Sequence, residues 1–442
     1  MLDGPTLLAH GIGGRQDLPI PFSYALAAAV ITLVVTFALL GALWREPRFT
    51  GRLTGRPLPR PLATLLDSRG FRVALRVVGV LVTGYVAMAA IFGRDDALNP
   101  TPYVVYILFW VGLPFASLIL GPVWRLLNPL RTLHGGLARL MGADPRDGLR
   151  PVPAGLGYWP AAAGLFAFVW LELVAPDRAT LPVLRTWFAL YAGVNLLAAA
   201  YFGARWFDRC DAFEAYSCLV ARLAPIGRRS DGMLALRNPL AGLAATPPAP
   251  GLVAVVCVLL GSTAFDGFSN STTWFRLSEE APLPGMAVGT LGLLSFIVAA
   301  AVTFSAAAML AGRLGHAGRR RLPRLFAHSV IPIVVGYVVA HYFSLFVFEG
   351  QRAVILLADP LGNGANWLGT ANRGVDFSVL TPTTIAVTQV LAVVLGHVVG
   401  VAAAHEQAVR LFPRRQALAG QVPLLVVMVG YTLAGLTLLF AA

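Results

Sequence analysis

Apolar residues along this chain run in blocks of about twenty, divided by short stretches rich in arginine and proline. A helix of that length matches the hydrocarbon thickness of a bilayer at about 1.5 Å per residue. Ten blocks are predicted to be transmembrane helices, at 21–44, 73–91, 102–120, 157–174, 183–202, 252–268, 286–311, 330–348, 385–404 and 422–440. The expected fold is an all-α polytopic transmembrane helix bundle, one integral membrane domain over 1–442. Two connections stand apart: 204–250, a cytoplasmic amphipathic segment with its loop, and 349–383, an extracytoplasmic loop.

Arginine placement orients the bundle. The connections after the first, third, fifth, seventh and ninth blocks carry clusters such as Arg45, Arg48 and Arg56, or Arg319, Arg320 and Arg321. The other connections hold Asp95, Asp96, Asp177, Glu279, Glu280, Glu349, Asp359 and Asp376. Basic loops stay on the cytoplasmic side, so both termini are expected to be extracytoplasmic and the protein to be multi-pass in the plasma membrane. The stretch 1–20 lacks the basic and apolar regions of a cleavable leader, so the first helix is expected to be retained.

Composition agrees. The chain is 57% hydrophobic and only 12% charged, against about 25% charged in soluble domains, so its solvent is lipid. The net charge of +13 comes from arginines spread over many loops, a distribution that speaks for headgroup contact and against a nucleic-acid partner. Every basic side chain other than histidine is arginine, with abundant alanine, glycine and proline, pointing to a high-GC bacterial genome. Cys210, Cys218 and Cys257 form no CxxC pair, which argues against disulfides and a cysteine metal site.

Some connections carry structure of their own. Arg125 to Leu130 reads RLLNPL and Arg237 to Leu240 reads RNPL; Asn-Pro initiates turns, so each is expected to start or end a surface helix. The segment Trp206 to Leu223 has apolar residues at helical spacing. It is expected to lie along the membrane surface or under the bundle. The 349–383 loop is rich in Gly, Asn and Asp around Trp367 and reads either as a lid over an outer site or as an ordered cap.

Ionisable groups inside lipid are expensive and are therefore candidates for function. His341 lies mid-block with Tyr337 and Ser344 on its helical face. His397 lies in the ninth block, flanked two turns away by Gln389 and His405. Helical rise puts His341 about 18 Å from the inner end and His397 about 20 Å from the outer end of their blocks, within reach of one pocket. Such a pair fits metal or haem ligation, proton relay or substrate binding, while ordinary interhelical hydrogen bonding needs no function at all. Asp266 sits at the outer end of the sixth block among Ser262, Thr263, Ser269 and Thr272, a setting for a cation, a ligand or a helix cap. No P-loop, GxSxG, HExxH, CxxCH or dinucleotide fingerprint occurs, and the glycine-rich HGIGG at His10 to Gly14 has no nucleophile motif to serve.

The N-terminal LAHGIGGRQDLPIP, the segment FDRCDAFEAYSCLVARLAPIGRRSDGMLALRNPL, the FDG of the sixth block, HYFSLFVFEGQ and LGHVVGVAAAHEQAVRLFP together resemble a family of multi-spanning membrane proteins from high-GC bacteria. Some members of that family are labelled fenitrothion hydrolase. The resemblance implies fold and location over nearly the whole chain and, through the label, organophosphate ester hydrolysis. A metal-activated water is a usual route to that reaction, but the chain has no HxH pair or carboxylate cluster of the two-metal kind. Three functions are thus expected to compete: permease-like or ion-coupled transport of a small molecule, a membrane-embedded metal-dependent hydrolase or haem redox subunit with His341 and His397 as ligands, and a non-catalytic subunit that anchors a partner at its cytoplasmic face through Trp206 to Leu223.

Overall fold

The computed structural model describes residues 15–49, 53–311, 318–413 and 416–440; the HGIGG stretch lies outside them. The principal helices are α1 (Phe22–Leu43), α2 (Arg69–Phe92), α3 (Pro100–Leu120), α4 (Pro129–Leu140), α5 (Trp159–Leu173), α6 (Leu181–Phe202), α7 (Ala212–Val220), α8 (Pro239–Ala244), α9 (Leu252–Ser269), α10 (Thr272–Glu280), α11 (Gly285–Ala311), α12 (Ile331–Leu356), α13 (Pro382–Leu411) and α14 (Ala417–Leu439). Nine helical segments among the described residues are long and apolar enough to cross a bilayer: α1, α2, α3, α6, α9, α11, Arg319–Leu356 with α12 inside it, α13 and α14. The remaining predicted span, 157–174, is α5, whose 15 residues rise only about 22 Å.

Local chemistry sets many helix starts. Asn99, Asn128 and Asn238 each stand before a proline and accept hydrogen bonds from the backbone N–H groups of Thr101, of Leu130 and Arg131, and of Leu240. The asparagine oxygen satisfies orphan donors, while proline at the first helical position gives up an N–H that had no partner. RLLNPL and RNPL are therefore helix starts, as their turn chemistry implies. Thr381 and Pro382 open α13 in the same way.

The described residues fall into two compact units, one holding Leu58–Ala221 and Ser344–Val379, the other lying within His10–Pro57, Arg222–Phe343 and Leu380–Ala442. The first unit is organised around aromatic rings. Phe168 of α5 packs against Trp110 of α3 at 4.8 Å and against Phe213 of α7 at 5.1 Å between centroids. Over Val104–Val111 the α3 backbone widens to π-helical turns. The α7 helix is enclosed within this unit: Phe213, Tyr216, Leu219 and Val220 are all buried. Its polar positions Glu214 and Ser217 are buried as fully as its apolar ones, so the helix does not divide into an apolar and a solvated face.

The α12 helix continues to Leu356 and so occupies the first part of 349–383. Beyond it, Asp359 accepts from the N–H groups of Asn363 and Gly364 at 3.1 and 2.8 Å. The Trp367 ring meets Tyr85 edge-on at 6.1 Å, so the loop is ordered by its own polar groups and docked in its unit.

In the second unit α9 packs on α11, α13 on α14, and α1 on α13. A small antiparallel sheet in the order β1-β3-β2 joins β1 (Arg56–Pro57), β3 (Leu234–Leu236) and β2 (Ile226–Arg228). Helices α12 and α13 cross where glycine faces glycine. A Cβ on Gly396 would fall 2.7 Å from the Pro332 carbonyl oxygen and 3.0 Å from Gly336 Cα. Backbone cannot swing aside as a side-chain tip can, so Gly396→Ala is expected to cost about 1–3 kcal/mol. Thermal unfolding in detergent measures this against Gly430→Ala, whose added methyl meets nothing within 4 Å and which should melt at or above the wild-type temperature.

Candidate functional site

Helix α9 carries Asp266 one turn before its end, and α12 brings His341 and Tyr342 to it. His341 Nε2 and Asp266 Oδ2 lie 2.9 Å apart and share a proton, and the Tyr342 hydroxyl donates to the same oxygen at 2.7 Å. All three residues are at most 4% exposed. Tyr337, one turn before His341, stacks its ring parallel to the imidazole at 6.0 Å. Gly267 makes room for this approach, because a Cβ there would meet the Tyr337 hydroxyl at 3.2 Å. Asp266 is thus a partner of His341 and not a helix cap at the headgroup level. Its neighbours Ser262 and Thr263 spend their hydroxyls on the Leu259 carbonyl, and Ser269 bonds the Asp266 backbone oxygen.

The second predicted histidine is held differently. His397 Nδ1 donates to the Val393 carbonyl of its own helix at 2.8 Å. This puts the proton on Nδ1 in the neutral ring and leaves Nε2 as a lone-pair acceptor. Nε2 is buried and meets no hydrogen-bond partner among the described residues, and the same holds for the Tyr337 hydroxyl and both amide atoms of Gln389. Tyr337 and His397 line one cavity of about 190 Å³. Three of the predicted residues, Asp266, His341 and Tyr337, therefore form one constellation, and His397 reaches it through the cavity wall it shares with Tyr337.

His405 belongs elsewhere. Its Nδ1 lies 3.1 Å from Gln421 Oε1 and its Nε2 lies 2.8 Å from the Trp44 carbonyl oxygen. The Gln421 amide group donates to Ala417, so two oxygens face the ring. Beside it, Glu406, 2% exposed, accepts from Trp44 Nε1, the backbone N–H groups of Arg48 and Phe49, and Arg410 Nε, all within 3.1 Å. The sequence reading missed Glu406 because the ninth block was ended at 404. A glutamate following directly on a histidine of an apolar block was the signal available. Ser344 is buried on α12 where that helix enters the first unit.

His341 Nε2 is engaged by Asp266, and no three His, Cys, Asp or Glu side chains converge as a metal site among the described residues.

A separate polar cluster lies in the first unit outside the long apolar helices. Arg131 holds Glu214 through two bonds of 2.9 and 2.7 Å, and Arg125 and Arg131 both reach Asp208 at 2.8 Å. Asp211 caps α7 by accepting from the Glu214 N–H at 2.7 Å. Burial pushes the Glu214 carboxyl up from 4.5 to about 7 against the pull of Arg131, and pushes Asp211 up to about 6. A carboxyl raised on folding stabilises the fold below its ordinary range and ceases to do so as pH rises through its folded value. Unfolding at pH 5 is therefore expected to need up to about 3 kcal/mol more than at pH 8. Glu214→Gln should flatten most of that difference in a melting series across pH.

No family model, curated protein or solved structure matches this chain.

Proposed function

We propose that this protein is a plasma-membrane permease-like carrier that couples the movement of a small molecule to protonation of the Asp266–His341 pair. The chain then crosses the bilayer ten times, with α5 as its shortest crossing and both termini outward, as the alternation of arginine-rich connections implies.

The observation that carries this reading is a carboxylate and an imidazole buried side by side between helices that are otherwise apolar. With one shared proton the pair is net neutral, as neutral acid and base or as an ion pair, and low dielectric tolerates it. A second proton leaves net positive charge in a dry place. The helices that hold the pair are then biased toward an arrangement that lets water or a counter-charge in, and this is the coupling that a proton-driven carrier needs. Tyr342 stabilises the ionised carboxylate through its hydrogen bond. The enclosure of α7 speaks against the partner-anchoring alternative, which needs that helix exposed.

The test is proteoliposomes loaded with a pH-sensitive dye and challenged with a panel of small organic solutes under an imposed pH gradient. At least one solute is expected to change the internal pH. Asp266→Asn, which keeps the shape and removes the titrating group, should abolish that change. The reading fails if no solute moves protons, or if every solute-induced flux survives Asp266→Asn.

A further inference from the structure

The cavity beside the site is not sealed. Its floor is Tyr337 and His397, but Ala299 and Thr303 of α11 and Ala434 of α14 line it too and are themselves exposed on the outer face of helices that lie in lipid. One rim is a clasp in which the Thr303 and Tyr431 hydroxyls meet at 2.6 Å and Tyr431 reaches the Ala300 carbonyl at 3.1 Å. The crevice thus runs from the lipid-facing surface between α11 and α14 inward to two polar side chains. Its walls are apolar apart from the clasp, and small residues such as Gly261 and Gly435 provide the space.

We infer that this crevice is a binding site, entered sideways from the bilayer, for a small uncharged apolar molecule carrying one hydrogen-bond donor. Size follows from the volume of about 190 Å³, somewhat above the roughly 150 Å³ of an engineered apolar cavity that holds benzene. Apolarity follows from the walls and from the lipid that a ligand must cross to enter. The donor follows from His397, which is 2% exposed. Its Nδ1 is turned back onto Val393, so the far edge of the ring carries an acceptor, Nε2, without a partner among the described residues. A buried acceptor without a donor costs free energy that a ligand hydroxyl or N–H recovers. The inference names the class of molecule the proposed carrier takes and rests on that reading for its movement only; binding is measured without it.

Hydrocarbon chemistry in this crevice has two sources, a dissolved small molecule or the acyl chain of a membrane lipid, and the donor distinguishes them. Radiolabelled benzyl alcohol and toluene are titrated onto the protein in lipid nanodiscs by scintillation proximity, with empty nanodiscs subtracted. Wild type is expected to bind benzyl alcohol at about one per chain and several-fold to about tenfold more tightly than toluene, the span that one hydrogen bond supplies. His397→Leu should bring the two to equal affinity. Ala434→Trp, placed at the exposed mouth so that the core is untouched, should abolish both. Binding is read with no gradient and no flux, so failure of the site and failure of the carrier reading are told apart. Equal binding of both probes by wild type means that the crevice takes only hydrocarbon, such as a lipid chain, and overturns the donor assignment. Saturable binding unchanged by Ala434→Trp, or no binding above empty nanodiscs, overturns the site.

Discussion

A double variant, Asp266→Leu with His341→Leu, is expected to unfold within about 1 kcal/mol of wild type, while either single variant loses about 3 kcal/mol or more. The asymmetry is electrostatic. Removing Asp266 alone leaves a buried imidazole and the Tyr342 hydroxyl without the oxygen that both use. Removing His341 alone leaves a buried carboxylate that has lost its imidazole partner. Removing both replaces a desolvated pair by side chains that suit the surroundings, and the desolvation cost disappears with the pair. Denaturant titration of the three variants in mixed micelles, run as a double-mutant cycle, gives the coupling directly. A double variant that is stable but carries no proton-coupled flux shows that the pair is kept for work and not for fold strength. Should the double variant instead lose the sum of the two single losses, the two residues are not coupled, and the proton-coupled reading, which needs them as a pair, goes with that result.

Helix positions were legible in the chain because burial in lipid writes itself as length. Twenty apolar residues need a membrane whatever their neighbours are. Helix starts were legible for a similar reason, since the asparagine before Pro129 and the one before Pro239 act on N–H groups two or three residues away. Neighbourhood was not. Asp266 and His341 were both singled out in the sequence, but 75 positions separate them, and no periodicity says which spans touch. Depth arithmetic instead paired His341 with His397. Their helices do cross, at Gly336 and Gly396, yet His341 turns to α9 and His397 to the cavity. The surroundings of Trp206 to Leu223 were hidden for a different reason. Helical spacing of apolar residues reads as one face, and the polar positions between them, Glu214 above all, are buried among partners supplied by α4. Span 157–174 illustrates the limit of length itself, because Gly157 stands before α5 and Pro160 takes a place in its first turn, so that the helix proper is Trp159–Leu173.

Glu406→Ala should be the most destabilising single change at the C-terminal end of α13, at about 3–5 kcal/mol. The carboxylate accepts four hydrogen bonds from three places: the Trp44 indole just after α1, the backbone of Arg48 and Phe49, and Arg410 one turn along its own helix. It therefore ties the connection that follows α1 to α13. It also neutralises Arg410 in a setting where the helix ends against other protein. Alanine leaves the indole and two backbone donors without an acceptor and Arg410 without its counter-charge. Glu406→Gln isolates charge from geometry, since the amide oxygen still accepts but the negative charge is gone; it should recover about half of the loss. The direct readout is limited proteolysis in detergent, because release of Arg48 from the carboxylate exposes a trypsin site that the latch protects. Cleavage after Arg48 is expected to be slow in wild type and at least about tenfold faster in Glu406→Ala, following the population of the opened connection. Equal cleavage rates in the two proteins would mean that the connection after α1 is held by its other contacts, the ring of Trp44 against His405 and Phe49 among them, and that Glu406 contributes to the stability of α13 alone.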